Sequence, residues 1–128
     1  MWMDQKELSG AMYRKCVEND KKDFWSLITD SEYAYRYCKN VSDRSEVRKY
    51  ITDSEWSYMY CRTIKDRPEI RKNITYSRYA YRYCNDIKDR PEIRKHIIES
   101  EWSYWYCRDV ADRLEIRKNI KINLLTPY

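Results

Sequence analysis

Five cysteines, a single histidine and a run of tyrosines set beside arginines are the side chains through which this chain could do chemistry. Cys38, Cys61, Cys84 and Cys107 recur at a constant step of 23 residues, with Cys16 upstream. Zinc sites draw on ligand pairs a few residues apart, and the chain has no C-x-x-C and only His96. Equivalent residues of neighbouring helices lie roughly 8 to 10 Å apart, whereas a disulfide needs Cα atoms within about 7 Å. A disulfide ladder is therefore not expected, and each Cys reads as a small buried hydrophobe. Nucleophilic or acid–base catalysis calls for one asymmetric constellation, but the notable Asp, Glu, Cys and Tyr residues all occur in several equivalent copies. His96 has Tyr50, Asn73 and Asn119 as its counterparts, which makes it a helix-end surface residue rather than a general base. The expectation is a non-catalytic chain without metal or cofactor.

The elements that must position these side chains follow from the same step. Ile28, Ile51, Ile74, Ile97 and Ile120 keep the 23-residue interval, dividing the chain into units 28–50, 51–73, 74–96 and 97–119. One unit of that size cannot bury a core alone, so neighbours must stack. Within the first segment of a unit, Ala34, Tyr37, Cys38 and Val41 fall at i, i+3, i+4 and i+7, one face of a helix. The face returns as Ser57, Tyr60, Cys61, Ile64, as Ala80, Tyr83, Cys84, Ile87 and as Ser103, Tyr106, Cys107, Val110. Small Ala or Ser beside Cys lets helices approach closely, and Tyr33, Trp56, Tyr79 and Trp102 thicken one flank. Ser31, Ser54, Ser77 and Ser100 are expected N-caps, with Thr29 or Thr52 as an alternative start three residues before Glu32 or Glu55.

The second segment opens on Asp43, Asp66, Asp89 or Asp112 with Glu three residues on, a capping-box variant that tolerates Pro68 and Pro91 in the first turn. Val47 with Ile51 and Ile70 with Ile74 then form i, i+4 apolar pairs, predicting a second helix of about two turns. Short helices are marginal alone. The expected fold is therefore all-α, an α-solenoid of stacked short helical hairpins forming a single repeat domain over 1–128. Residues 1–27 read as a degenerate N-terminal cap, in which Ala11, Tyr13 and Cys16 echo the pattern, and 120–128 as a short closing tail. Units also alternate, since Tyr33-Ala34-Tyr35-Arg36 returns as Tyr79-Ala80-Tyr81-Arg82 and Trp56-Ser57-Tyr58 returns as Trp102-Ser103-Tyr104. A duplicated 46-residue block is implied, with a Trp of one unit against a Tyr of the next.

The S-E-Y-A-Y-R-Y-C and D-R-P-E-I pieces, over residues 28–119, resemble the short Tyr-rich S-P-E-Y-A-Y-x-Y-A repeats, about two dozen residues each, of uncharacterised proteins of large phages and giant DNA viruses. This chain has Cys where those repeats carry Ala, and D-R-P-E-I where they have a Gly-Arg-Trp-Pro-Glu turn. The resemblance implies a viral source and brings no catalytic residues with it.

Charge and composition narrow the function. There is no apolar run long enough for a membrane span, and the start Met1-Trp2-Met3-Asp4 lacks the basic, apolar pattern of a secretory signal, so the expected compartment is the cytoplasm, the host's if the source is viral. The net charge is +5, yet the four units carry +1, +1, +3 and −1, which does not describe a continuous cationic groove. Arg44, Arg67, Arg90 and Arg113, with the Arg-Lys pairs at 48–49, 71–72, 94–95 and 117–118, are expected to pair with neighbouring carboxylates. A solenoid binds partners through positions that differ between copies. Here those are Arg36, Met59, Arg82 and Trp105, with Lys39, Arg62, Asn85 and Arg108 three residues further along the same face. The expected function is a scaffold for a protein partner, extended by the viral resemblance to engaging or inhibiting a host factor. The alternative is nucleic-acid binding through Tyr35-Arg36-Tyr37, Tyr81-Arg82-Tyr83 and Tyr106-Cys107-Arg108. Aromatic end surfaces are also compatible with a homodimer.

Overall fold

The computed structural model describes residues 3–121. All regular structure among them is helical, with the chain divided into two compact units, Met1–Asn73 and Ile74–Tyr128. The closing tail expected at 120–128 lies, from residue 122 onward, outside the described residues. The first unit holds α1 (Gln5–Glu18), α2 (Lys22–Trp25), α3 (Ser31–Asn40), α4 (Ser45–Arg48), α5 (Ser54–Thr63) and α6 (Pro68–Arg71). The second holds α7 (Ser77–Asp86), α8 (Pro91–Arg94), α9 (Ser100–Asp109) and α10 (Leu114–Arg117). Each long helix packs on the short helix next in the chain; within the units, α1 also packs on α3, α3 on α5 and α7 on α9.

The long helices bury the stripe that the 3.6-residue period demands. Ala34, Tyr37 and Cys38 of α3 are buried, as are Ser57, Tyr60 and Cys61 of α5, while Val41 and Ile64 close the helices as half-buried C-caps. Ile28, Ile51, Ile74 and Ile97 are 0% exposed, which places the repeated isoleucine at the centre of the core. The small residue of the stripe is what permits the close approach. At the chain's one glycine, Gly10 of α1, an added Cβ would stand 2.8 Å from the Tyr33 ring of α3.

The caps differ from the sequence expectation. Asp30 and Asp53, one residue before the serines, are the N-caps of α3 and α5 and accept from the backbone N–H of Tyr33 (3.2 Å) and Trp56 (2.9 Å). Ser31, Ser54, Ser77 and Ser100 are instead the first helical residues, and Thr29 and Thr52 are not caps either. The serine hydroxyls are already engaged with the next repeat. Ser31 Oγ donates to the Tyr50 carbonyl (3.1 Å) and accepts from Thr52 N–H (3.1 Å). Ser77 Oγ donates to the His96 carbonyl (3.0 Å) and accepts from the N–H groups of Ile98 (3.0 Å) and Glu99 (3.1 Å). Ser9 does the same in the N-terminal segment, accepting from Thr29 and Asp30. The serine thus stitches a long helix to the loop that opens the next one. Replacing Ser77 by Ala strands backbone groups next to a side chain that is 2% exposed, and a loss of about 2 kcal/mol is expected in urea unfolding.

The short helices are also shorter than expected: α4, α6, α8 and α10 are four residues each, a single turn. Their N-cap positions belong to Arg44, Arg67, Arg90 and Arg113 and carry no side-chain cap bond. The aspartate one residue earlier is drawn elsewhere. Asp43 accepts from the Tyr60 hydroxyl through both carboxylate oxygens (2.8 Å each), from Arg67 (3.1 Å) and from Arg48 (3.1 Å). Tyr60 Oη in turn accepts from Arg67 Nε (2.7 Å). The same node is built by Asp20, Tyr37 and Arg44 in the first unit and by Asp89, Tyr106 and Arg113 in the second. A fully buried tyrosine ring is therefore no liability, because its hydroxyl lies between a carboxylate and a guanidinium. At Asp20 the Trp25 indole N–H (2.8 Å) stands where Arg48 stands at Asp43.

Burial alone would raise the Asp43 carboxyl, but the hydrogen bonds from Tyr60 and Arg48 and the nearby guanidinium charge outweigh it and hold the group below its ordinary value. Burial and the Asp43 carboxylate push the Tyr60 phenol up to about 12.

The doubled period has a visible basis. The Trp of alternate repeats meets the preceding Tyr, Tyr35 with Trp56 at 5.4 Å between ring centroids and Tyr81 with Trp102 at 5.8 Å. Asn73 and Asn119, again 46 residues apart, donate their amides to the carbonyls of Ile51 and Ile97 (3.0 Å each).

Candidate partner-binding face

All five cysteines are free thiols, and Cys16, Cys38, Cys61 and Cys84 are buried. Burial pushes the thiols of Cys38, Cys61 and Cys84 up to about 12, so almost no thiolate exists at neutral pH. Alkylation by iodoacetamide at pH 8 is expected to be at least tenfold slower at these three in the folded protein than in the urea-unfolded chain, by peptide mass spectrometry. His96 is half-buried; burial and the neighbouring Lys95 charge lower its pKa, and its role is to offer a backbone carbonyl to Ser77.

The positions that vary between repeats sit on the outward side of the long helices. In the first unit, Arg36 is exposed, 2.6 Å from the Glu32 carboxylate one turn back and stacked 5.5 Å from the Tyr33 ring centroid. Lys39 lies 5.9 Å from the Tyr35 ring. Met59 is half-buried on α5, and the exposed Arg62 donates to the Tyr58 hydroxyl (3.3 Å). In the second unit Arg82 and Arg78 both reach the Tyr79 ring, at 5.9 and 5.5 Å. Asn85 is exposed.

The tightest group is on α9. Trp105 is half-buried, meets Tyr104 edge-on at 5.2 Å and carries the Arg108 guanidinium 4.5 Å over its ring. Arg108 is held from the other side by Asp109 (3.0 Å). Trp105 and Arg108 are thus brought together, whereas Arg36 and Lys39 stack on different rings. Tyr104 belongs with them and was not singled out by sequence. Its repeat counterpart Tyr35 is 4% exposed, under Trp56 and bonded to Thr63 (2.9 Å), while Tyr104 is 49% exposed. The repeat pattern hides such a residue, because the identical residue type is buried at Tyr35 and Tyr58 and half-buried at Tyr81.

The tyrosines of the Tyr-Arg-Tyr motifs are mostly turned inward. Tyr35 is 4% exposed and Tyr37, Tyr83 and Tyr106 are each 0% exposed, with Tyr81 half-buried and bonded to Asp109 (2.6 Å). They form the core rather than a stacking platform for bases.

Comparison with protein-family models, curated proteins and solved structures finds no match to the chain. Fold and face together define an all-helical protein of short, neighbour-packed helices. No helix among the described residues is long and apolar enough to cross a membrane.

Proposed function

We propose that this chain is a non-catalytic helical repeat protein, an α-solenoid of short hairpins, that acts as a scaffold for a protein partner. The observation that carries the reading is the division of labour among side chains. Of the residues repeated from unit to unit, Asp, Tyr and Arg engage one another and Ser bonds backbone groups of the loop before the next long helix. Of the residues that differ, Arg36 is exposed and Met59, Arg82 and Trp105 are half-buried, with the exposed Lys39, Arg62 and Arg108 on the same helices. A Trp flanked by Tyr and Arg has the make-up of an interface anchor, large in contact area and able to pair with polar groups at its edge.

Nucleic-acid binding is the second reading. The inward tyrosines remove its stacking surface, and Arg36 and Arg108 are already paired with Glu32 and Asp109. The resemblance to phage and giant-virus repeats points to a viral protein in the host cytoplasm, engaging or inhibiting a host factor. A homodimer is compatible with the same aromatic surface.

Two variants separate the readings. Trp105→Ala is expected to weaken a captured protein partner at least tenfold while leaving the circular-dichroism melt within a few degrees of the parent. Arg36→Glu with Arg82→Glu is expected to leave oligonucleotide retention at 50 mM salt at its background level; abolition of strong, salt-sensitive retention by this pair would move the assignment to nucleic acid.

A further inference from the structure

Within each unit a repeat is covered by its successor in a fixed way. Trp56 lies on Tyr35 and Trp102 on Tyr81, while Asp43 and Asp89 each receive a tyrosine hydroxyl and a guanidinium from the repeat that follows. Ser45 and Pro91, which open α4 and α8, face the next short helix across a shallow cleft. The last described repeat presents the same surface uncovered. Tyr104, the counterpart of Tyr35 and Tyr81, is 49% exposed, and Cys107 and Ile120 are half-buried where Cys84 and Ile97 are buried. Asp112 is met, among the described residues, by Arg117 alone (2.6 Å). Their side chains are 60% and 52% exposed, against 20% and 12% for the equivalent Asp89 and Arg94.

The side chains on this face are not those of a polar end. Outermost repeats of stacked arrays ordinarily carry a polar outer surface. The N-terminal helix has made that exchange: Lys15 precedes Cys16, where a tyrosine precedes Cys38, Cys61, Cys84 and Cys107. Helices α9 and α10 have not. Tyr104 keeps the residue type of its counterparts, and Leu114, 74% exposed, stands where the other short helices begin with Ser45, Pro68 or Pro91. Partly uncovered Tyr, Leu, Cys and Ile side chains beside one ion pair form a patch suited to closing against another protein surface.

Charge selects the occupant. Asp112 and Arg117 set one negative and one positive group side by side, so the patch is complementary to itself about a two-fold axis. Such pairing places each Asp112 opposite the Arg117 of the other copy. It returns to Asp112 the second guanidinium that Arg67 gives Asp43 and Arg113 gives Asp89. Head-to-tail stacking fits less well, because α1 offers Lys15 in place of the phenol. We infer that the outer face of α9 and α10 binds a second copy of this chain through the same face, with Tyr104 and Leu114 packed against their own counterparts and the Asp112 and Arg117 pairs exchanged. The inference rests on the homodimer reading above, to which it gives a surface. It does not depend on the scaffold reading, since Leu114, Asp112 and Arg117 lie outside the partner face.

The test is sedimentation equilibrium of the full chain at about 100 μM, where a species of twice 16.0 kDa is expected. Leu114→Asp and, separately, Arg117→Asp should each weaken self-association at least tenfold. Both side chains are exposed, so the circular-dichroism melt should stay within a few degrees of the parent. Arg117→Asp and Asp112→Arg chains each lose their own ion pair and should be monomeric alone. Mixed, they should associate, because each then meets the opposite charge in the other copy. A monomer at this concentration, which is also the outcome if the chain's own residues 122–128 cover the face, would overturn the assignment and the homodimer with it. A dimer indifferent to Leu114→Asp and Arg117→Asp would overturn this face and leave a homodimer through another. Species that keep growing with concentration, or mixed variants that fail to associate, would overturn the two-fold pairing.

Discussion

Asp43→Ala is expected to lower the free energy of unfolding by about 3 kcal/mol in urea titrations, among the largest losses of any single polar substitution in the chain. The carboxylate is only 22% exposed and accepts from Tyr60, Arg67 and Arg48 at once. Removing it leaves a buried phenol without its acceptor and brings two guanidinium groups together without a counter-charge. Tyr60→Phe takes away one hydroxyl and should cost less, about 1 to 1.5 kcal/mol. The double variant should fall well short of the sum, because both substitutions break the same node.

The pH dependence of that node has a definite sign. Since the Asp43 pKa lies below its ordinary 3.8, the stabilisation is present above that value and is lost as pH falls through the lowered folded pKa. The stability gap between the parent and Asp43→Asn should therefore be constant near neutrality and close only below pH 3.8. At the alkaline end, the Tyr60 phenol is raised from 10.0 to about 12, so its contribution is complete below pH 10 and disappears as pH rises towards 12. A gap that instead closed between pH 6 and 8 would mean that another titrating group governs the node.

The second large effect belongs to the repeated isoleucine. Ile28 is 0% exposed, and Ile28→Ala should destabilise by about 3 kcal/mol, Ile28→Val by about 1 kcal/mol, in proportion to the methyl groups removed and the cavity left. Denaturant midpoints measured by far-ultraviolet circular dichroism, with the slope unchanged, would verify both. Losses below 1 kcal/mol for the alanine variant would mean that Ile28 is not part of the core of the first unit.

Much of the helical framework was legible in the residues. The apolar spacing through Ala34, Tyr37 and Cys38 located the long helices, and the Pro-Glu pairs marked the starts of α6 and α8. What spacing could not convey was how the polar residues were used. Ser31 and Asp43 both have good local roles as caps, and a local reading assigns them those roles. In the fold each is drawn to the next repeat instead, Ser31 to the Tyr50–Thr52 loop and Asp43 to Tyr60. A clue was present in the constant 17-residue separation of Asp43 from Tyr60 and of Asp89 from Tyr106, and in the seven from each Tyr to the next Arg. Exposure was the least legible property, because it is set by the neighbour that covers each repeat rather than by the repeat itself. Tyr35 and Tyr104 share a sequence position yet one is buried and the other is not.

The proposed assignment as a protein-binding scaffold is tested most directly by affinity capture from cell lysate on the purified full chain, run in parallel with and without nuclease. The account predicts a stoichiometric protein partner that survives nuclease and is lost with Trp105→Ala. Recovery of nucleic acid, with every bound protein released by nuclease, would contradict it.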